Sequence, residues 1–213
     1  MHKLTRTTEP QELVQARADG LQHWDHFPQS AKKVVRDKLL LMQNFRCAYC
    51  ECVLRNDSED GEREHKGHIE HFKRKSRFFY PELTFIWGNL FYSCSKRKTC
   101  GRHKDCHVKS KEQYCLLIDP CRDNPEDFLV FDDRGRVSAR SDLSISDKRR
   151  AEFTIDAFQL NDPDLIKTRK DYLKYYEWLE KYPNEYINSY LSEIKDEPFI
   201  TAIYHYFGKR VVS

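Results

Sequence analysis

The sequence predicts an α+β chain, mainly helical, in which a small cysteine-clamped centre is flanked by helices on both sides. Three observations lead there. Apolar residues recur at helical spacing before residue 45, and the texture becomes helical again after residue 144. Two short stretches, 67–72 and 89–93, read as strands. Cysteines bracket them, as Cys47-Ala-Tyr-Cys50 upstream and Cys94 with Cys100 downstream. At 213 residues the chain can bury a core without covalent staples. The expected organisation is an N-terminal helical segment over 1–45, a central module over 46–120, and a β-hairpin with a helical extension over 121–213 packed on that module.

Taken in order, residues 9–20 have Pro10 just inside and Gly20 at the end, the asymmetry of a short helix. A second helix is predicted from Ser30, as its cap, to about Asn44, with Val34, Val35, Leu39, Leu41 and Met42 near helical spacing. The polar stretch 56–64 reads as an exposed loop. A helix should begin near Cys100 and carry His103, although Gly101 lowers its propensity. Residues 116–120 read as a strand and turn, and 128–131 with 136–139 as a hairpin about Gly135. Further on, Ser144 caps a helix to about Phe158. Asp162 and Pro163 open a longer one toward Tyr182, and a last helix runs over 198–206 before Gly208. The tyrosines of this tail, at helical spacing, read as packing residues.

No apolar run approaches the ~20 residues of a membrane span, and the first residues have no apolar signal core, so a cytoplasmic protein without a membrane partner is expected. In a reducing compartment the eight cysteines are read as metal ligands or free thiols before disulfides. Cys47 and Cys50 form a zinc knuckle, and Cys94 and Cys100 complete a structural zinc site, with Cys106 or His107 as substitutes for either. Cys52, Cys115 and Cys121 read as free thiols. The net charge of +3 conceals a concentration: residues 63–111 hold thirteen Lys or Arg against four Asp or Glu. A positive field so placed suits a polyanion, and nucleic acid is the obvious one, whereas a charge run elsewhere would read as a solvated face.

Phosphodiester hydrolysis needs an activated water and neutralisation of charge on the phosphate. Within the clamp, Glu70 is a hard oxygen ligand suited to Mg or Mn, and His71 a neutral imidazole suited to act as base. In a regular strand these neighbours point to opposite faces, so a bend is required. Asn89 would orient His71, through its other ring nitrogen or by holding the connecting loop, and His103 would be the second ligand of the catalytic ion, with His107 the alternative. Lys73, Arg74, Lys75, Arg102 and Lys104 are available to phosphate oxygens. A zinc-ribbon module that binds nucleic acid or acts as an adaptor would need the cysteines and basic residues, but not Glu70, His71 and Asn89.

These residues resemble the HNH (His-Me finger) endonucleases, and within them the PtuB-like nuclease subunits of Septu and retron anti-phage systems. The likeness rests on Lys3-Leu-Thr-Arg6 with Glu9-Pro10, Cys47-Ala-Tyr-Cys50-Glu51, Ile69-Glu70-His71-Phe72 with Lys73 and Lys75-Ser76, Trp87-Gly-Asn89-Leu90, and Ser93-Cys94. It covers the N-terminal half by motif and the rest by texture. It implies a ββα-metal HNH core gripping one catalytic ion, with His71 as general base, Glu70 as metal ligand and Asn89 as orienting residue. The family pattern departs downstream: Gly101 follows Cys100 where Asn or His is expected, then a lysine. The resemblance also implies DNA as substrate, RNA such as tRNA being the alternative. Its implied partners are a PtuA-like ATPase and, in the retron version, a reverse transcriptase with RNA-linked DNA; the size of the helical tail from Ser144 and its lack of motifs suggest it as the docking surface.

Overall fold

A computed structural model describes residues 1–54, 67–96 and 98–208. The loop expected over 56–64 lies outside them. Helix α1, Gln11–Ala18, starts behind Pro10 and buries Leu13 and Ala16. Helix α2, Gln29–Met42, packs against it. It begins behind Pro28, which supplies no side-chain cap, so Ser30 lies inside the first turn and not at the cap position expected for it. Its buried stripe is Val35, Leu39 and Leu40, while Val34 and Leu41 face outward, a correction to the periodicity reading.

Asn44 and Phe45 take positive φ and turn the chain sharply into the cysteine knuckle. The Gln43 side chain secures that turn. Its Nε2 donates to the carbonyls of Arg46 and Tyr92, and its Oε1 accepts from the Tyr92 N–H.

Strand β1, Gly67–His71, pairs antiparallel with β2, Leu90–Cys94, in a register that sets Glu70 opposite Phe91 and His71 opposite Leu90. β2 is buried along its whole length, whereas the outer edge of β1 has no strand partner among the described residues. The first residues of the chain wrap the start of β2. Arg6 donates to the Leu90 carbonyl and stacks its guanidinium 4.1 Å from the Phe91 ring, and the Trp87 indole N–H donates to Thr7. Helix α3, Cys100–His107, follows and packs on β2.

Residues 117–120 form no strand, contrary to expectation. After a 3-10 turn over Glu112–Leu116, their backbone is satisfied by the Thr154 hydroxyl at Ile118 and by the Leu4 N–H at Pro120. The predicted hairpin is present as β3, Leu129–Phe131, against β4, Val137–Ala139.

Helix α4, Ile145–Ala157, is capped by Ser144, whose Oγ accepts from the Asp147 N–H. Helix α5, Pro163–Tyr176, is capped by Asp162 and ends before the expected Tyr182, continuing as a 3-10 turn over Glu177–Lys181. Helix α6, Asn184–Glu193, was not anticipated; it starts behind Pro183 and buries Ile187 and Leu191, one turn apart. Helix α7, Ile200–Tyr206, packs on α5 and β3 and lies against the knuckle, where the Thr201 N–H donates to Glu51 Oε2.

Tyr176 and Tyr204 are core residues. Tyr172, Tyr190 and Tyr206 are partly buried against the core, as expected of most of these tyrosines, while Tyr175, Tyr182 and Tyr186 are exposed. The architecture is α+β and mainly helical, with two small two-stranded sheets among the described residues. Among the described residues, no helix is long and apolar enough to cross a membrane.

Candidate active site

Two centres meet at the β1-β2 hairpin and α3. In the first, the sulfur atoms of Cys47, Cys50, Cys94 and Cys100 lie within 4.8 Å of one another, all buried. Cys50 and Cys94 sulfurs are 4.0 Å apart, close to the ~3.8 Å edge of a tetrahedron with zinc–sulfur bonds of about 2.3 Å. The Cys94 N–H donates to Cys47 Sγ at 3.4 Å, as suits a thiolate. Contact with the Cys100 sulfur lowers Cys94 to about 5. These donors fit a structural metal ion such as zinc. The five-residue gap before Cys100 is closed by positive φ at Cys100, whose N–H donates to the Phe158 carbonyl. Cys106 and His107 take no part in the cluster.

The second centre is a cavity of about 500 Å³ along the free edge of β1, bordered by His68, Ile69, Glu70, His71, Arg74, Lys75, Arg102, Asp105 and Cys106. Because β1 is paired on one side only, residues from both its faces can border one opening, so Glu70 and His71 share it without a break in the strand.

Glu70 is buried against the first turn of α3. A Cβ at Gly101 would sit 2.4 Å from its carboxyl carbon. Its Oε1 meets Lys104 Nζ at 2.5 Å, and its Oε2 meets His68 Nε2 at 3.2 Å. Burial raises the pKa of a carboxyl group, but Lys104 and His68 outweigh it and hold Glu70 at about 2, ionised.

His71 is held by Thr84. Its Nε2 lies 3.0 Å from the Thr84 carbonyl, which can only accept, so Nε2 carries the proton and Nδ1 the lone pair. Trp24 packs edge-on at 4.8 Å between ring centroids, stacked in turn on Phe85. Burial first, then the charge of Lys75, lowers His71 to about 3. The imidazole is therefore neutral near pH 7. The Asn89 side chain makes its hydrogen bonds elsewhere. Its Oδ1 accepts from the Lys73 N–H, and its Nδ2 donates to the carbonyls of Lys73 and Leu83. It thus ties the ends of the 73–83 loop together beside the Thr84 carbonyl that holds His71.

Other expected residues lie elsewhere. His103 is not brought to Glu70: its Nδ1 donates to the Ala157 carbonyl, its ring lies 5.6 Å from that of His107, and neither borders the cavity. The cause is helical phase, since Gly101, Lys104 and Asp105 occupy the α3 positions near Glu70.

Lys104, expected to meet phosphate, is fully buried. Its ammonium donates to the His71 and Phe72 carbonyls at 2.6 and 2.8 Å and pairs with Glu70 and Asp105. Burial would lower its pKa, but these carboxylates raise it. Arg74 is committed to the carbonyls of Asp105 and Val108, and Lys73 lies over the Tyr80 ring. Of the basic residues expected at phosphate, Lys75 and Arg102 are exposed at the cavity.

No protein-family profile matches the sequence. Among curated proteins, the chain is 30% identical over 171 residues to the Vibrio cholerae "Retron Vc95 putative HNH endonuclease", a match covering 76% of each chain. It is 33% identical over 131 residues to the Septu protein PtuB of Bacillus thuringiensis, covering 61% of this chain and 46% of that one. The chain belongs to the PtuB-like HNH nuclease family. A PtuB of Bacillus mycoides matches at 26% over 170 residues, 67% of this chain and 52% of that one, so the chain spans about half the length of the two Septu relatives.

Within this PtuB-like chain, the glycine standing where the family pattern expects Asn or His lies against Glu70, and a side chain at 101 would require the Glu70 carboxylate to move. Trp24 and Thr84, which hold His71, were missed. They lie 47 and 13 residues from it in the sequence, and no local pattern announces them.

Proposed function

We propose that this chain is a metal-dependent endonuclease that hydrolyses phosphodiester bonds in nucleic acid, with DNA as the favoured substrate. The observation that carries the proposal is the His71 ring, held neutral by burial and fixed by Thr84 so that Nδ1 is its basic nitrogen, in one cavity with the ionised Glu70.

In this reading Nδ1 takes a proton from water, the resulting hydroxide attacks phosphorus, and the P–O bond opposite breaks. The leaving oxygen takes up a proton from solvent. A pKa near 3 in the free protein keeps the base unprotonated, and the charge of an incoming phosphate raises it, drawing the proton toward the ring. A divalent ion such as Mg or Mn, held by Glu70, would polarise the phosphate and neutralise the leaving oxygen. Asn89 acts by positioning the loop that holds His71. Lys75 and Arg102, at the mouth, would meet phosphate oxygens.

The names of the Septu and retron relatives support a role in a Septu- or retron-type system, and in this reading the chain acts in anti-phage defence in the cytoplasm, with a PtuA-like ATPase as partner and, in a retron setting, a reverse transcriptase with its RNA-linked DNA. A binding-only zinc module accounts for the cysteines but gives no reason for a fixed neutral imidazole beside a buried carboxylate.

The test is incubation of the zinc-loaded protein, alone and with the ATPase encoded beside it, with labelled duplex DNA and total tRNA in Mg²⁺ or Mn²⁺. Cleavage that disappears in His71→Ala supports the proposal. Absence of cleavage under every condition, with nucleic-acid binding retained, favours the binding module.

A further inference from the structure

We infer that His68 is the second protein ligand of the divalent cation, its Nε2 acting beside Oε2 of Glu70. This rests on the nuclease reading above.

Residues two apart on a strand share a face, so His68 and Glu70 project to the same side of β1, and both border the cavity. Their Nε2 and Oε2 atoms lie 3.2 Å apart. Adjacent ligand atoms around an octahedral ion with bonds of about 2.1 Å are separated by about 3.0 Å, so the pair is spaced as two neighbouring ligands would be. Lys104 occupies the other oxygen of Glu70, which leaves Oε2 to the His68 side. The His68 Nδ1 atom is buried and has no hydrogen-bond partner among the described residues, so the ring's polar contact there is with Glu70 alone. Ligation would use the neutral imidazole with its proton on Nδ1, and the Nε2 lone pair would replace the present hydrogen bond.

Helix α3 supplies no ligand to this oxygen from positions 101, 103 and 104. Gly101 is pressed against the carboxylate, Lys104 is a cation, and His103 is turned to the Ala157 carbonyl. Asp105 Oδ1 is engaged by Lys104 and Arg74. The missing side chain at 101 is therefore compensated from the strand, by a residue on the face that already carries Glu70.

The test is Mn²⁺ binding to the zinc-loaded full chain, followed by the electron paramagnetic resonance signal of free Mn²⁺. Wild type should bind one equivalent at this site, His68→Ala should bind at least about tenfold more weakly, and His68→Asp, which returns a hard oxygen ligand, should recover part of the loss. Zinc content and thermal unfolding serve as the check on folding. Should His68→Ala lose zinc, the comparison passes to His68→Gln, which keeps a polar side chain but offers Mn²⁺ a poorer ligand and should also bind more weakly. Unchanged Mn²⁺ affinity in the folded variants overturns the role of His68 while leaving the nuclease reading intact, since wild-type cleavage is scored separately. A wild type that cleaves but binds no Mn²⁺ at this site also overturns it.

Discussion

Replacing Lys104 by Met should destabilise the protein severely, although the two side chains are similar in length. The ammonium is fully buried and supports four neighbours: the Glu70 carboxylate at 2.5 Å, the Asp105 carboxylate at 3.1 Å and the carbonyls of His71 and Phe72 at 2.6 and 2.8 Å. Removing one member of a buried ion pair costs about 3–5 kcal/mol, because the remaining charge stays out of water without compensation. The two carbonyls lose a charged donor, at about 1 kcal/mol each. A loss of about 5–7 kcal/mol is comparable to the whole stability of a domain at the lower end of the usual 5–15 kcal/mol.

The measurement is urea unfolding at fixed zinc concentration, with Glu70→Gln and the double variant completing a cycle. The double variant should recover several kcal/mol relative to Lys104→Met, since a neutral amide needs no counter-ion. The pH dependence has a definite sign. Glu70 is held at about 2 against an ordinary 4.5, so its contribution is fully present above pH 4.5 and is lost as pH falls from 4.5 toward 2. In Lys104→Met that window of acid loss should disappear. An unfolding midpoint equal to wild type, with unchanged slope, would refute the assignment of Lys104 as a buried counter-ion.

His71→Ala should abolish cleavage while leaving zinc content intact, as measured by metal analysis beside a cleavage assay. Since His71 stays neutral down to about pH 3, the wild-type profile of kcat/KM should show no acid limb near 6.5, and a limb there would count against this imidazole as the base. Cys47→Ser, or chelation, should release metal and unfold the module by circular dichroism, because bound structural metal contributes folding free energy directly. Lys75→Glu with Arg102→Glu should weaken DNA binding and flatten its dependence on salt without altering stability. Lys104, being buried, should have no place in that salt dependence.

Local signals served well wherever the determinant was itself local. Ser144 caps α4 because a hydroxyl one residue before a helix reaches the N–H three residues on, and the hairpin about Gly135 follows from turn chemistry with alternating residues. Asp162 before Pro163 marked the start of α5 in the same way. The helical pattern runs on toward Tyr182 through a 3-10 turn that is not α-helix, and α6 opens behind Pro183 with no capping side chain to mark its start.

The sequence by itself determined the material of the site: a cysteine pair at knuckle spacing, a second pair beyond a hairpin, and a carboxylate joined to an imidazole, all within a basic segment. Residue type and short spacing are enough for that, because metal preference and acid–base character belong to the side chains. Only the tertiary structure decided which of these groups face one another. The phase of α3 turns His103 toward Ala157 and buries Lys104 under Glu70, and the unpaired edge of β1 opens both its faces to one cavity. Trp24 and Thr84 reach His71 from distant segments. Those relations depend on how helix and hairpin are rotated against each other by the packed core, and no pattern along the chain encodes that rotation.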